Sequence, residues 1–325
     1  MERKVLAIVG PTASGKTKLS IIVAEKINGE IISADSRQIY KYMDIGTAKP
    51  SKEERERIRH HFVDELNPNE EFNAGIFGEK GREIIEDIFS SGKVPIVVGG
   101  SGLYIRALID GFFEGPGADW ELREILYNKA KKLGVDVLYE ELKKVDPESA
   151  QKIHPNNLKR VIRALEIYYL TGKPISKLQK EVKPKINFTT VQIGLKWDRK
   201  KLYKRIEERV DWMINNGLIE EVKHLRELGY DKNLNSLQTV GYKEVFDYLD
   251  GLITYDQMVY LIKRNSRRYA KRQFTWFRQD KRIIWIDVDE NTDFNELADR
   301  VIEIFKSARP GSDVEDSPVL EKKEV

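Results

Sequence analysis

The sequence predicts an α/β protein in which a parallel β-sheet is flanked by helices and is interrupted by an all-helical insertion. Three observations predict this fold. Short apolar runs alternate with amphipathic helical patterns in residues 1–114 and again after residue 186, a glycine-rich turn directly follows the first apolar run, and residues 119–179 show no convincing strand. Because strands joined by helices pair in parallel, the alternation favours a parallel sheet.

The first part of the chain, residues 1–114, is predicted to contain three buried strands. Asn28-Gly29 and Ser91-Gly92 are suitable stops after helices, and Ser51 with Glu54 three residues later has the spacing of a capping box that begins another helix. The predicted strands are Lys4–Val9, Glu30–Ala34 and Val94–Val98, and the other predicted helices are Lys16–Ile27 and Asn73–Phe89.

The pattern changes near Gly115-Pro116-Gly117, where a helical insertion domain is predicted over residues 115–185. Residues 186–308 are predicted to return to the sheet. Their predicted strands are Thr189–Trp197 and Arg282–Val288, and their predicted helices lie at about 199–228, 241–249, 254–278 and Phe294–Ser307. Residues 309–325 have no periodicity, so we expect a disordered tail.

Composition excludes several classes of protein. The 325 residues contain no cysteine and only four histidines, which excludes disulfides and cysteine nucleophiles and argues against a zinc site. No apolar run of about 18 residues predicts a transmembrane helix, and the apolar stretch at the N-terminus is too short for a signal peptide. We therefore expect a cytoplasmic protein with no membrane partner.

The net charge of +3 conceals a strongly basic segment. Residues 263–282 hold nine basic side chains and one acidic one, whereas residues 309–325 carry a net charge of −2. Aromatic residues are interleaved with the basic ones, a mixture that suits phosphate pairing and base stacking on RNA. The alternative is a helix with an aromatic core face, and the spacing of Phe274 and Phe277 favours the core for these two.

A phosphate-binding loop follows the first strand. Its backbone N–H groups and the N-terminus of the next helix favour a polyphosphate, and its lysine adds a positive charge. The threonine hydroxyl after that lysine is placed for Mg²⁺. This motif predicts a P-loop NTPase-like sheet, and its residues are Gly10, Pro11, Thr12, Ala13, Ser14, Gly15, Lys16 and Thr17.

Asp35 is the candidate general base. It ends the second predicted strand, and the carboxyl ends of parallel strands form the edge at which ligands bind. The third strand ends in Gly99-Gly100-Ser101-Gly102 without an acidic residue, so the usual second acidic group of a nucleotide hydrolase is missing there. On position alone, a carboxylate that caps a turn is the alternative role for Asp35.

Six segments together resemble the bacterial tRNA dimethylallyltransferase family, also called tRNA isopentenyl transferases. The resemblance extends from about residue 5 to about residue 290. The segments are GPTASGKT at 10–17, DSRQIYKYMDIGTAKP at 35–50, VGGSGLY at 98–104, IHPNNLKRVIRALE at 153–166, TVGYKE at 239–244 and KRQFTWFR at 271–278.

The resemblance implies a reaction and its substrates. The dimethylallyl group of dimethylallyl diphosphate would pass to N6 of the adenosine 3′ of the anticodon in tRNA, position 37. Asp35 would be the general base, the P-loop and Mg²⁺ near Thr17 would hold the diphosphate, and Thr12 and Arg209 would complete the catalytic set. Arg205, four residues before Arg209, is expected to lie on a solvated helix face. The family further implies a monomer without an obligate protein partner.

The resemblance also implies contacts with the anticodon stem-loop of tRNA. Ser101 stands where the family often has threonine and keeps a hydroxyl, whereas Gln238 departs from an arginine seen in some relatives. The implied tRNA-binding residues are Asp35, Ser36, Arg37, Gln38, Ser101, Arg123, Lys159, Arg160, Arg163, Gln238, Gly241, Tyr242, Lys243, Lys271, Arg272, Gln273, Trp276 and Arg278.

Three other functions compete with this interpretation. A small-molecule kinase would explain the P-loop and Asp35 equally well, but neither the helical insertion nor the basic segment. An adenylate isopentenyltransferase acting on free nucleotides would have a similar core and would need no RNA-binding parts. An RNA-binding module with a P-loop but no catalysis would leave Asp35 and Arg209 without a role.

Overall fold

The computed structural model describes residues 3–111, 115–181 and 186–308 and confirms the predicted fold class. Six parallel strands form one sheet in the order β3-β2-β4-β1-β5-β6. The strands are β1 (Lys4–Val9), β2 (Gly29–Ala34), β3 (His60–His61), β4 (Val94–Gly99), β5 (Thr189–Trp197) and β6 (Ile283–Val288).

Helices connect the strands. In the part that contains the sheet they are α1 (Lys16–Ile27), α2 (Lys52–Arg57), α3 (Ala74–Ser90), α4 (Gly102–Ile109), α10 (Arg199–Asn215), α11 (Leu218–Glu227), α12 (Tyr242–Leu249), α13 (Tyr255–Phe277) and α14 (Phe294–Ser307). Between α4 and β5 lie α5 (Trp120–Leu133), α6 (Val135–Val145), α7 (Pro147–Lys152), α8 (Leu158–Thr171) and α9 (Ile175–Glu181).

The sheet is covered on both faces. In β1, Leu6 and Ile8 belong to a buried cluster that includes side chains of α1, α10 and α14. Val5, Ala7 and Val9 alternate with them along the strand and are fully buried as well. The strands are apolar at successive positions for this reason, as parallel strands buried on both sides are.

The chain divides into two compact units. Residues Asp110–Ile186 form one unit, and the parts of the chain before and after it form the other. The predicted insertion had nearly the same limits, 115–185. The helical unit has its own core, in which Leu138, Leu142, Val161 and Leu165 are completely buried. The predicted disordered tail, residues 309–325, lies outside the described residues.

The structure adds to the predicted elements at three places. The helix predicted over 199–228 is interrupted after Asn215, because Gly217 adopts φ = 102°, which no helix interior allows. β3 is only two residues long and pairs with β2, and α4 follows Ser101; neither was predicted, since the strand is too short and the helix too apolar to show periodicity. The capping box of Ser51 and Glu54 is present as predicted.

Candidate active site

A cavity of about 980 Å³ opens at the carboxyl ends of the strands. Its walls come from the loop after β1, the segment after β2, the end of β4, and helices α10 and α13. The functional residues predicted from sequence that line it are Thr12, Ala13, Ser14, Gly15, Lys16, Thr17, Asp35, Ser36, Arg37, Gln38, Arg209, Gln238, Gly241, Arg272 and Gln273.

The phosphate-binding loop is held in shape by groups outside it. Trp197 Nε1 donates to the carbonyl of Ser14 at 3.0 Å, and Arg205 Nε donates to the carbonyl of Ala13 at 3.1 Å. Because the C=O and N–H of a trans peptide point in opposite directions, these bonds fix the direction of the N–H groups of Ser14 and Gly15. These bonds hold the loop in a shape that suits an anion.

Glycine is required at both ends of this loop. Gly10 has φ = 149° and Gly15 has φ = 95°, values that other residues rarely adopt. A Cβ on Gly15 would also lie 2.6 Å from the ring of Phe294. Gly15 is directly followed by α1, whose first N–H groups have no partner within the helix.

Lys16 is half-buried and lines the cavity. Its Nζ donates to the carbonyl of Pro11 at 2.7 Å. Burial, together with the charge of Arg209, lowers the pKa of Lys16 from 10.5 to about 7, and the charge of Asp35 opposes this shift. A lysine with this pKa is stabilised in its charged form when an anion binds beside it.

Arg209 and Arg205 lie on the same face of α10. The NH1 of Arg209 is 3.4 Å from Thr12 Oγ1, and burial together with the charge of Arg205 lowers the pKa of Arg209 below its ordinary value. Arg205 stacks on Trp197, with its guanidinium carbon 4.4 Å from the ring centroid. The expectation that Arg205 lies on a solvated face is therefore wrong, because Trp197 and the P-loop cover this side of the helix.

Asp35 caps a turn, which is one of the two roles considered for it, and it also lines the cavity. Its Oδ1 accepts hydrogen bonds from the backbone N–H groups of Arg37 at 2.9 Å and Gln38 at 3.4 Å, so the carboxylate does cap a turn. Both bonds go to one oxygen, which leaves Oδ2 to accept a proton. Asp35 lines the cavity, and its charge raises the pKa of both Lys16 and Arg209.

The segment after Asp35 is anchored to its surroundings. Ser101 Oγ accepts a hydrogen bond from the N–H of Ser36 at 3.2 Å. Gln38 accepts from the hydroxyl of Ser33 at 3.0 Å and donates to the carbonyls of Thr47 and Ala48 at 3.3 and 3.2 Å. The side-chain amide of Gln38 thus secures the loop that follows, whereas Arg37 is half-buried at the cavity wall.

The predicted tRNA contacts around the start of α12 differ in their exposure to solvent. Gln238 and Lys243 are exposed, and Gln238 Nε2 donates to the carbonyl of Lys232 at 2.7 Å. Tyr242 is fully buried and donates its hydroxyl to Glu221 at 2.5 Å, so its ring is enclosed by protein in this conformation. Gly241 is buried as well, and its N–H donates to Glu244 at 2.8 Å.

Most of the basic segment, residues 263–282, lies in helix α13. Lys271, Arg272 and Arg278 are exposed and Trp276 is half-buried. Phe277 is buried and Phe274 is half-buried, as predicted for core positions. Gln273, a predicted tRNA contact, is only 7% exposed and bonds to the protein itself.

The helical unit carries four more of the predicted tRNA contacts. Arg123 and Arg163 both pair with Glu166, whose side chain is completely buried. Arg123 reaches it with two bonds, of 2.8 and 2.9 Å. Lys159 and Arg160 are exposed on α8.

Sequence reasoning missed several residues that line the cavity or hold the segments around it in place. Arg205 and Trp197 support the P-loop, and Trp212 lines the cavity although 54% of it is exposed. Glu221 binds the N–H groups of Asp44, Ile45 and Gly46 at 2.9, 2.7 and 3.1 Å. The spacing of Arg205 and Trp212 from Arg209 on α10 was the one available signal, because positions three or four apart share a helix face.

The structure also bears on metals and membranes. Among the described residues, no group of three or more His, Cys, Asp and Glu side chains is placed to hold a metal ion. Within the same residues, no helix is long and apolar enough to cross a membrane.

Comparisons with known proteins agree with the resemblance noted in the sequence. Residues 38–280 match the sequence model of the family described as IPP transferase. The tRNA dimethylallyltransferase of Acetivibrio thermocellus is 53% identical over 290 residues, covering 88% of this chain and 92% of the relative. That of Carboxydothermus hydrogenoformans is 52% identical over 291 residues, covering 88% and 93%.

Solved structures match as well. A tRNA isopentenylpyrophosphate transferase from Bacillus halodurans is 43% identical with a TM-score of 0.69, covering 94% of this chain and 97% of that one. A eukaryotic dimethylallyltransferase acting on tRNA is 33% identical with a TM-score of 0.78, covering 94% and 80%.

Proposed function

Since the chain belongs to the IPP transferase family and is a prenyltransferase, we propose that it transfers a dimethylallyl group from dimethylallyl diphosphate to N6 of adenosine 37 in tRNA. The product is N6-isopentenyladenosine. The observation that carries the proposal is the single cavity that Asp35, the P-loop and Arg209 line together. It brings a proton acceptor close to a site for a leaving diphosphate.

Asp35 acts as the general base in this proposal. The exocyclic amine of adenine is a weak nucleophile, because its lone pair is delocalised into the ring. As the bond from N6 to the allylic carbon forms, a proton of N6 passes to Asp35, and the bond from that carbon to the diphosphate oxygen breaks. The bonding electrons leave with the diphosphate. The cap on Oδ1 supports this role, since it orients the carboxylate before substrate binds.

The P-loop and its cations stabilise the leaving diphosphate. Negative charge grows on the diphosphate as the allylic C–O bond breaks, and groups that are fixed beforehand stabilise that charge best. Lys16 and Arg209 supply positive charge, while the loop N–H groups supply donors. Thr12 supports Arg209 through its hydroxyl.

Thr17 would hold Mg²⁺ together with oxygens of the diphosphate. Its hydroxyl lies at the N-terminus of α1 and lines the cavity. Mg²⁺ commonly takes one or two protein oxygens and completes its shell with phosphate oxygens and water, which fits a site without a cluster of carboxylates among the described residues. When bound, the ion would neutralise part of the diphosphate charge.

Exposed basic residues would bind the tRNA phosphates. Lys271, Arg272 and Arg278 on α13 and Lys159 and Arg160 on α8 are accessible for this purpose. The target adenine would have to leave the anticodon loop and enter the cavity, as bases do in enzymes that act on them. We propose dimethylallyl diphosphate and the tRNA anticodon stem-loop as the partners of a monomeric cytoplasmic enzyme.

One experiment tests the proposal. The protein is incubated with radiolabelled dimethylallyl diphosphate, Mg²⁺ and either total tRNA or free AMP, ADP and ATP, and the labelled nucleoside is identified after digestion. We expect N6-isopentenyladenosine from tRNA only. Label on the free nucleotides alone would support the adenylate isopentenyltransferase alternative, and phosphate transfer without prenyl transfer would support a kinase.

A further inference from the structure

The inner face of α13 packs on the glycine-rich segment that ends β4. Tyr269, Gln273 and Trp276 share this face, since they are four and three residues apart. Tyr269 lines the cavity, as Gln273 does. A Cβ on Gly102 would lie 2.1 Å from the ring of Trp276, so this glycine is needed for the close approach.

Gln273 bridges this segment and the P-loop. Its Oε1 accepts the hydrogen bond of the Thr12 N–H at 2.9 Å, and its Nε2 donates to the carbonyl of Gly100 at 3.0 Å. A Cβ on Gly100 would lie 2.1 Å from Nε2, so the contact needs glycine. Both polar ends of the side chain are therefore occupied by backbone groups of the cavity wall.

The two residues before Gln273 are exposed to solvent, in contrast to Gln273 itself. Lys271 and Arg272 are exposed, whereas Gln273 is 7% exposed. Successive residues of an α-helix are about 100° apart, so one short stretch of helix offers cations to solvent and an amide to the P-loop. Sequence resemblance alone groups these three residues as RNA contacts.

We propose that Gln273 is a positioning residue for the diphosphate-binding loop and not a contact with tRNA. This inference rests on the proposed function of the P-loop. Thr12 has its N–H fixed by Gln273 and its hydroxyl next to Arg209, so the amide sets the orientation of the peptide that precedes the anion-binding N–H groups. Without the amide, the Thr12 N–H loses its acceptor and the loop loses one of its fixed points.

The test is to measure two affinities separately for Gln273→Leu, which removes both hydrogen bonds at similar volume. The affinity for inorganic diphosphate in the presence of Mg²⁺ should fall about five- to a hundredfold, as expected when a buried donor is left unsatisfied. The affinity for tRNA without diphosphate should stay within about twofold. Lys271→Ala should show the reverse pattern, with weaker tRNA binding and unchanged diphosphate binding.

Gln192→Leu is the matched control. Gln192 is 3% exposed on β5, lies outside the cavity walls, and donates to Asp280 at 3.4 Å. Gln192→Leu therefore shows how the loss of a buried side-chain amide affects folding when the cavity is not involved. We expect this variant to bind diphosphate as the wild type does, and thermal melting of both variants shows whether each is folded.

Gln273→Glu adds a second measurement, the pH dependence of diphosphate binding. A purely structural role for Gln273 would not produce this dependence. A protonated glutamic acid accepts and donates as glutamine does, whereas the carboxylate cannot donate to Gly100. A glutamate carboxyl ordinarily titrates near pH ~4.3, and burial raises its pKa, so the ratio of variant to wild-type dissociation constants for diphosphate should approach one as pH falls from about 8 to about 4. Measuring the ratio separates this effect from the titration that both proteins share. The other titratable or charged side chains that line the cavity are Lys16, Lys18, Asp35, Arg37, Lys49, Glu54, His60, Arg205, Glu208, Arg209, Tyr269, Arg272, Asp289 and Glu290.

Two outcomes overturn the inference. One is a loss of tRNA affinity in Gln273→Leu with unchanged diphosphate affinity, and the other is a Gln273→Glu ratio that does not change with pH. Failure of the proposed function would look different, since the wild-type protein itself would then transfer no dimethylallyl group to tRNA.

Discussion

Two groups of arginines in this protein differ in how their charge is balanced. In the helical unit, Arg123 and Arg163 share the buried carboxylate of Glu166, which also accepts the N–H of Asp119 at 2.8 Å. The two arginines lower the pKa of Glu166, against the effect of its burial. Every charge of this cluster has a partner within it.

The cavity of the other unit has an excess of positive charge. Lys16, Arg205 and Arg209 make no ion pair with a carboxylate within the described residues, and burial lowers the pKa of Lys16 and Arg209. Asp35 partly opposes these shifts. The difference teaches that pairing, more than the presence of arginine, separates a structural cluster from a site that needs an anion.

The largest effect is expected from Asp35→Asn, which tests whether the one carboxylate among these cations serves catalysis. Asparagine keeps the Oδ1 that accepts from Arg37 and Gln38 but does not take up a proton. The turnover number should fall roughly 10²- to 10⁴-fold, the range of general base catalysis. Single-turnover prenyl transfer measures it, with tRNA affinity as the control; a normal turnover number would refute the base assignment.

Glu166→Gln tests the cluster in which Arg123 and Arg163 pair with Glu166. It removes the carboxylate charge that pairs with two partly buried arginines, so the free energy of unfolding should fall by about 3–5 kcal/mol. Urea titration followed by circular dichroism measures this change. Glu148→Gln, on the surface of the same unit, is the control and should change stability little. Equal stability of the two variants would show that the cluster is not structural.

The pH dependence of diphosphate binding tests the cavity with excess positive charge, at Lys16. At pH 7 about half of Lys16 is neutral in the free protein, and a bound anion favours its charged form, so binding takes up protons. The affinity for diphosphate should therefore decrease by up to tenfold per pH unit above pH 7. In Lys16→Arg the group stays charged, and the ratio of the two dissociation constants isolates this lysine. A ratio independent of pH from 6.5 to 9 would contradict the assignment.

The smallest effect is expected from Lys271→Ala, on the exposed face of α13. Removing one phosphate contact should weaken tRNA binding severalfold and lower the salt slope by about one. Thr275→Ala, exposed on the same helix, is the control. Filter binding between 50 and 200 mM salt measures both slopes, and identical slopes in variant and wild type would exclude a phosphate contact at Lys271.

Much of the fold could be predicted because local patterns determine it. The strand Lys4–Val9, the helix Lys16–Ile27 and the helix Phe294–Ser307 have the limits that periodicity and caps indicate. β3 could not be predicted, since two residues carry no periodicity and their pairing with β2 is a tertiary contact. The break at Gly217 was visible only as a glycine that helices sometimes tolerate.

The candidate site could be predicted where its functional residues belong to one contiguous sequence motif or follow directly after a predicted strand. Residues 12–17 of the P-loop and Asp35 line one cavity, as the strand-end argument led us to expect. The expected solvated position of Arg205 was wrong, and the burial of Gln273 was not foreseen, because helical spacing shows which residues share a face but not what covers that face. Trp197 covers Arg205, and the P-loop and Gly100 enclose Gln273.

The sequence by itself determined the fold class, the phosphate-binding loop and the family, because each resides in short segments whose residues act through their neighbours in the chain. Only the tertiary structure decided which charges are balanced and which side chains hold the loop in place. Arg123 meets Glu166 across 43 residues, and Gln273 meets Thr12 across 261. Contacts over such distances depend on how the elements pack, and periodicity contains no information about that.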